Sequence, residues 1–334
     1  MAPKVHATGV ALATLLVAGV AQAGETLTVY TYDSFVSEWG PGPGIEAAFE
    51  ARCDCDLEFV ALPGGVDILQ RLRLEGQDTA ADVVLGLDMN LLAEARALDL
   101  LTPHGIDTGA LDLPIVWNDD TFVPYDWGHF AFVYDTEQLA EPPHSFEALL
   151  DAPDDVKVIL QDPRTSVTGL GLLLWIKKVY GERAPEIWAR LNERVLTVTN
   201  GWSQAYFSLF MNGEAPMVLS YATSPAYHMA VEGTDRYQAA EFDDGHYLQV
   251  ETAARVASSE HPELAREFLA FMLMPDFQRH IPLGNVMHPA VDLGDELPGV
   301  YDRLIQPESL TFTPEEVQTH RREWLREWRN AAAR

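Results

Sequence analysis

Lysine is almost missing from this chain. Of 334 residues only Lys4, Lys157, Lys177 and Lys178 are lysines, and all 22 basic side chains together face 51 acidic ones. The resulting formal charge of −29 repels phosphate backbones and excludes nucleic acid as a natural partner. An acid-rich, lysine-poor surface suits high salt, where screening removes self-repulsion. It also suits a cationic ligand, and at this stage both readings stand. Cysteine is equally scarce, confined to Arg52-Cys53-Asp54-Cys55-Asp56. Two ligands two residues apart are too few for structural zinc, and a redox centre would usually show C-x-x-C. A short local disulfide between Cys53 and Cys55 and a pair of free thiols remain as alternatives. Beyond the N-terminus no apolar run approaches the roughly 20 residues of a membrane span. Repeats, low-complexity tracts and Ser/Gly linkers are missing as well.

Catalytic templates fail in turn. There is no H-E-x-x-H, no G-x-S-x-G, no P-loop and no Ser-x-x-Lys. The 10 histidines show no metal-ligand spacing. His129, His228 and His246 lie beside aromatics and read as local hydrogen-bonding groups. Gly169-Leu170-Gly171 lacks the third glycine of a dinucleotide loop, and the apolar run around it reads as packing. No catalytic residues, metal ligands or cofactor are therefore expected.

What is present is a globular chain, 47% apolar with 8 Trp and 14 Phe, long enough for two domains at roughly 150 residues each. Lys4, the apolar run Val10–Val20 and Ala21-Gln22-Ala23 form the charged, apolar and small-x-small parts of a secretory signal peptide over residues 1–23. No lipobox cysteine follows. The mature chain is thus expected to begin at Gly24 and to be free in the periplasm, an oxidising compartment that favours the disulfide.

From Gly24 onward strands and helices alternate. Strands are expected at Thr26–Tyr32, Leu57–Leu62 and Ala81–Leu87, with helices at Ile45–Arg52, Val66–Leu74 and Asn90–Leu98. Such a βαβαβ opening builds a parallel sheet with crossover helices. Thr121–Asp135 reads as one long extended run. Further strands are expected at Lys157–Leu160, Val195–Thr199, Ala215–Tyr221 and Tyr247–Val256, and helices at Pro143–Leu150, Thr168–Tyr180, Ser203–Met211 and Pro262–Met274. Thr313-Pro314-Glu315-Glu316 opens a last helix with an N-cap, a Pro at the first helical position and a capping-box Glu. With no flexible tether, two lobes would be joined by extended strands acting as a hinge.

Ligands of open α/β sheets sit beyond the carboxyl ends of strands. Tyr32, Trp202 and Tyr221 fall at such ends, with Trp39 and Tyr227 in neighbouring loops. Aromatic faces around a cation contribute roughly 0.5–2 kcal/mol each, so the set suits a planar, positively charged ring, although any one of them suits a core equally well. Thr165, Ser166 and Thr168 precede a helix whose free N–H groups favour an anion, or serve simply as caps. Gly64-Gly65 opens a second such helix, with Asp67 just inside it opposing a dianion. Asp33 and Asp88, each just after a strand, are candidates to balance a cation or pair with an amino-heterocycle, against a bland reading as solvated loop acids.

These residues carry a resemblance. Thr28-Val29-Tyr30-Thr31-Tyr32-Asp33-Ser34-Phe35, Trp39-Gly40-Pro41-Gly42-Pro43, Ala81-Asp82-Val83-Val84-Leu85-Gly86-Leu87-Asp88, Gln161-Asp162-Pro163-Arg164-Thr165-Ser166, Gly201-Trp202-Ser203 and Thr223-Ser224-Pro225-Ala226-Tyr227-His228 resemble the periplasmic thiamine-binding proteins of bacterial ABC importers. Cys-x-Cys is similar too, and the likeness covers nearly the whole mature chain. It implies an α/β, two-lobed type II periplasmic binding protein fold with an interlobe cleft. It also implies thiamine or its phosphates as ligand, and delivery to an inner-membrane permease with its ATPase. Residue by residue, the thiazolium would lie among Trp39, Trp202 and Tyr227, with Tyr32 and Tyr221 contacting the ligand from their lobes. Ser166 would meet the phosphate end, and Gly64-Gly65 occupies the place of the first-lobe phosphate loop. Pro63 and Asp67 depart from the family pattern, so this chain is expected to favour free thiamine more than its relatives do.

The expected lobes run 24–125 (first), 126–227 (second), 228–282 (return to the first) and 283–334 (C-terminal helical segment on the second). We expect a monomer. The alternatives are a periplasmic enzyme acting on thiamine or its phosphates, a phosphatase or thiaminase, and a binding protein for another cationic solute.

Overall fold

The computed structural model describes residues 24–332, so the expected signal peptide lies outside the described residues. Strand β1 (Glu25–Tyr32) pairs in parallel with β2 (Cys55–Leu62) along its whole length, and with β3 (Val83–Asp88) at Val29 and Tyr30. Parallel neighbours need crossovers, which α1 (Gly42–Glu50) and α2 (Gly65–Glu75) supply. All six residues of β3 are buried, as its unbroken Val-Val-Leu-Gly-Leu-Asp run requires of a strand covered on both faces. A disulfide joins Cys53 and Cys55 at the start of β2. After α3 (Leu92–Arg96) and the two-residue β4 (Leu101–Thr102), the chain enters β5 (Val123–Asp135).

Strand β5 serves two sheets. Val123–His129 pair antiparallel with a later strand, β10 (His246–Val256), and Phe130–Tyr134 pair with β8 (Met217–Tyr221). The second sheet holds β6 (Val158–Gln161), β7 (Val195–Thr199) and β8 (Met217–Tyr221), with α4 (Phe146–Leu150), α5 (Val167–Tyr180) and α6 (Ala184–Asn192) packed around it. The segment read as a helix over Ser203–Met211 instead contains a π-helical turn, Gln204–Leu209, and a 3₁₀ turn, Phe210–Asn212. Then come α7 (Pro225–Tyr227), β9 (Tyr237–Ala239) and β10 (His246–Val256), followed by α8 (Pro262–Met272), α9 (Pro275–Gln278), β11 (His288–Pro289), β12 (Ser309–Leu310) and α10 (Pro314–Ala332). Along the curled sheet the order is β2-β1-β3-β10-β5-β8-β6-β7, so β5 and β10 are the strands by which one lobe passes into the other.

The pairing moves two of the expected boundaries. Strand β9 bonds to Val133–Asp135, and Phe242 stacks on Phe132 and meets Phe146 edge-on. Residues 228–245 therefore stay with the second lobe, and the return is made by β10. Strand β11 bonds to Asp126 and Trp127, which keeps residues 288–289 with the first sheet. Helix α10 belongs to neither lobe alone. Its Thr313–Glu316 capping box forms as expected, with Glu316 N–H donating to Thr313 Oγ1 (3.2 Å) and Thr313 N–H to Glu316 Oε2 (2.8 Å). Arg321 then pairs with Glu94 of the first lobe at 2.7 Å, and Glu327 with Lys177 of the second at 2.9 Å. The helix bridges the two lobes through Arg321 and Glu327, whose ion-pair partners lie on different lobes.

Candidate ligand-binding cleft

A cavity of about 270 Å³ lies between the lobes, at the carboxyl ends of the strands where an open α/β sheet receives ligands. The structure brings Tyr32, Asp33, Trp39, Gly64, Gly65, Ser166, Trp202, Tyr221 and Tyr227 to its lining. Asp88 is not among them. Its Oδ1 accepts from the N–H and the side-chain amide of Asn90, both at 2.7 Å. The carboxyl thus caps the turn that follows β3 and is only 1% exposed. Burial, against the opposing Asn90 bonds, pushes its pKa up to about 7. It is a structural acid rather than a rim acid.

The second-lobe wall is an aromatic shelf. Trp202 stacks on Tyr206 with centroids 5.1 Å apart, and its indole N–H donates to Ser220 Oγ at 2.8 Å. Ser220 Oγ in turn bonds Ser224 Oγ at 2.8 Å. Tyr206 Oη lies 2.8 Å from His228 Nε2, and His228 Nδ1 lies 2.7 Å from Glu232. Each of these rings is thereby held by a polar partner, and Tyr206 also stacks on His228 with centroids 6.0 Å apart. The π-helical turn is what brings Tyr206 and Phe207, adjacent in sequence, to the same cavity. Such wide turns recur at functional sites because they re-aim side chains. Phe207 meets Trp202 edge-on at 5.3 Å and reaches Trp39 of the first lobe, also at 5.3 Å. These two rings close the mouth from opposite sides.

The first-lobe wall is backbone. Gly65 opens α2, and a Cβ there would stand 2.4 Å from the Gly86 carbonyl oxygen and 3.2 Å from Val167 Cγ2 of the second lobe. Only glycine lets the start of α2 come this close to the Gly86 carbonyl of β3, with Val167 at the start of α5 also packed near it. Both helix N-termini border the cavity, and the α5 side adds Ser166, whose Oγ bonds Thr168 Oγ1 at 2.8 Å. The free N–H groups and dipoles of two helices converge there, the arrangement that receives an anion. Burial, and after it the charge of Asp33, lifts the Asp67 pKa.

The floor is made by the crossing strands. Glu251 of β10 lies opposite Asp126 of β5 on one side and Asp88 of β3 on the other. Glu251 Oε2 accepts from Tyr32 Oη (2.8 Å), Tyr125 Oη (3.0 Å) and Asn285 Nδ2 (3.3 Å). Asn285 also donates to Asp126 Oδ2 at 2.5 Å. Burial and the neighbouring carboxyl hold Asp126 well above the usual carboxylate range, and burial raises Glu251.

Glu251, Asn285, Tyr206, Phe207, His228 and Glu232 line the cavity without having been marked as site residues from the sequence. The local hydrogen-bonding reading of the histidines holds: His129 bonds Ser309 Oγ at 2.8 Å, and His246 bonds the Phe130 carbonyl at 2.8 Å. Burial lowers their pKa values to about 3 and about 4, which keeps both neutral. Among the described residues no group of three or more His, Cys, Asp or Glu is placed to hold a metal ion. No described helix is long and apolar enough to cross a membrane.

Residues 41–279 match the bacterial extracellular solute-binding protein family. The chain is 53% identical over 309 residues to the thiamine-binding periplasmic protein of Escherichia coli strain K12, covering 92% of this chain and 94% of that one. It is 54% identical to the thiamine-binding periplasmic protein of Brucella suis, with 95% of each chain covered. Among solved structures, one titled periplasmic thiamin binding protein superposes with a TM-score of 0.90 at 52% identity, covering 95% of this chain and all of that one. Iron-bound HitA from Pseudomonas aeruginosa superposes with a TM-score of 0.75 at 19% identity over 92% of this chain and 99% of its own, a likeness of fold alone. The two lobes, the paired crossing strands and the interlobe cavity are those of type II periplasmic binding proteins. This chain belongs to the bacterial extracellular solute-binding protein family, in the group of periplasmic thiamine-binding proteins.

Proposed function

We propose that the protein captures thiamine between its lobes in the periplasm and hands it to an inner-membrane ABC permease with its ATPase, acting as a monomer. The observation that carries this reading is the aromatic shelf: Trp202, Tyr206, Phe207 and Trp39 surround a cavity that also holds a buried carboxyl. That pairing of ring faces with a counter-charge suits a flat cation. The role needs no cofactor, and the ligand is bound and released unchanged. Lobe closure about β5 and β10 would present one surface to the permease and another in the open form.

The ligand's thiazolium is assigned to the space among Trp39, Trp202 and Tyr227, with Tyr32 and Tyr221 as lobe-specific contacts. The two converging helix starts at Gly64-Gly65 and Ser166 are assigned to a phosphate where one is present. Asp67 and Asp33 beside that end weaken it for a dianion, so free thiamine is favoured. Isothermal titration tests both levels. Saturable binding of thiamine with one site per chain supports the reading, and a diphosphate bound tenfold more tightly overturns the preference. A second reading, an enzyme acting on thiamine monophosphate, would leave released phosphate or cleaved pyrimidine in the mass spectrum after incubation. Recovery of intact ligand supports transport.

A further inference from the structure

Three carboxylates line the cavity, and only one of them is buried. Asp33 and Glu232 reach solvent, whereas Glu251 is 7% exposed. Its surroundings are rich in negative charge and poor in positive charge. From β1 comes the Tyr32 hydroxyl, from β5 Tyr125 and Asp126, from β3 Asp88, from β8 Tyr221, and from the segment after α9 Asn285. Tyr301 faces Asp126 and donates its hydroxyl to the carbonyls of Pro282 and Met287. Arg321 is the cation that bears on this row; it lies toward Asp88, and its own ion pair is with Glu94. Asp126 is fully buried, and its Oδ1 has no hydrogen-bond partner. Two buried carboxyls side by side resist carrying two negative charges at once, and an unpaired buried charge is costly.

We propose that Glu251, backed by Asp126, is the counter-charge by which the cleft selects a cationic heterocycle over a neutral ring of the same shape. The inference rests on the thiamine reading and adds to it the residue that reads the charge. Aromatic faces alone discriminate weakly, because they also bind neutral rings by area and stacking. A carboxyl in a site drained of water interacts with a cation far more strongly than one on the rim. The hydroxyls of Tyr32 and Tyr125 and the Asn285 amide fix its position, so the charge is in place before the ligand arrives.

The test compares thiamine with deazathiamine, in which a neutral thiophene replaces the thiazolium, by isothermal titration of the full mature chain. The wild type is expected to prefer thiamine by tenfold or more. Glu251→Gln should bring the two ligands within about threefold of each other by weakening thiamine and leaving deazathiamine nearly unchanged. Asp126→Asn leaves Glu251 as the only carboxyl of the pair, permanently ionised, and should widen the preference. This second variant decides the matter if Glu251→Gln does not fold. Asp88→Asn, opposite Glu251 but outside the cavity, should leave the preference as it is. A wild type that binds both ligands equally overturns this inference and leaves the thiamine reading standing, whereas one that binds neither overturns the reading itself. Preference retained in Glu251→Gln, or abolished in Asp126→Asn, also overturns the assignment.

Discussion

The two walls of the cleft recognise by different means. The second lobe offers rings held by polar partners, Trp202 by Ser220, Tyr206 by His228 and His228 by Glu232, with Phe207 exposed at the mouth. The first lobe offers Tyr32, a glycine pair at a helix start and a single tryptophan, Trp39, which is 39% exposed. A pre-organised aromatic face costs little ordering on binding, whereas an exposed ring must be immobilised. The comparison therefore assigns first capture to the second lobe and closure to the first. Shape and stacking are read on one side, and the lid is brought by the other.

The largest effect should come from breaking the pinned wall. Trp202→Ala removes both the stacking face and the partner of Tyr206, and should weaken thiamine about 100-fold, roughly 2–3 kcal/mol, the scale of a truncated aromatic hot spot. Circular dichroism should show the fold intact, since Trp202 packs at the border of a small satellite cluster and not in the main core. Trp39→Ala should cost about tenfold, expressed mainly as faster release in stopped-flow fluorescence. Equal losses in the two variants, or a slower on-rate in Trp39→Ala alone, would break the division between capture and closure.

Much of the second-lobe wall was legible. Tyr32, Trp202 and Tyr221 stand at strand ends, and the rule that places ligands there located the cavity from both sides. Asp88 satisfied the same rule and failed, because Asn90 two residues on offered its carboxyl two hydrogen bonds and drew it into a cap. Glu251 lies in the middle of an eleven-residue strand, where no end rule applies. The signal available was a glutamate inside an otherwise buried run, Tyr247-Leu248-Gln249-Val250-Glu251-Thr252, which a core position does not tolerate without partners. Tyr206 and Phe207 were hidden by helical periodicity, which cannot register a π-helical turn. The lobe return escaped because β9 is three residues long, too short to leave a pattern.

Asp88 also supplies a way to separate charge that binds from charge that merely sits nearby. Its pKa, about 7 in the folded protein, exceeds the ordinary value of about 3.9 in an unfolded chain. The folded state thus holds this proton more tightly. Its contribution to stability is complete below the unfolded value and is lost as the pH rises through about 7. Asp88→Asn keeps the acceptor for Asn90 and removes the titration. Between about pH 6 and pH 8 the wild type should lose about 1 kcal/mol more stability than the variant in urea unfolding. Thiamine affinity should not change. Parallel pH slopes would mean that Asp88 is already ionised in the fold, and a loss of affinity would place it with Glu251 in the recognition of charge.

The smallest effect concerns the acid excess itself. A cleft for one small cation needs one or two carboxyls, so the ligand does not explain a formal charge of −29. Glu141, Glu182, Glu214 and Glu267 are exposed and lie outside the cavity lining. At a Debye length of about 8 Å in physiological salt, charges on the outer surface are screened from the cleft, whereas the buried Glu251 is not. Changing all four to Gln should alter solubility and its salt dependence while holding thiamine affinity within about twofold at moderate salt. If this quadruple variant weakened thiamine as much as Glu251→Gln does, the cation would be drawn by the field of the whole surface. The contrast between a wall that reads shape and a floor that reads charge would then lose its second half.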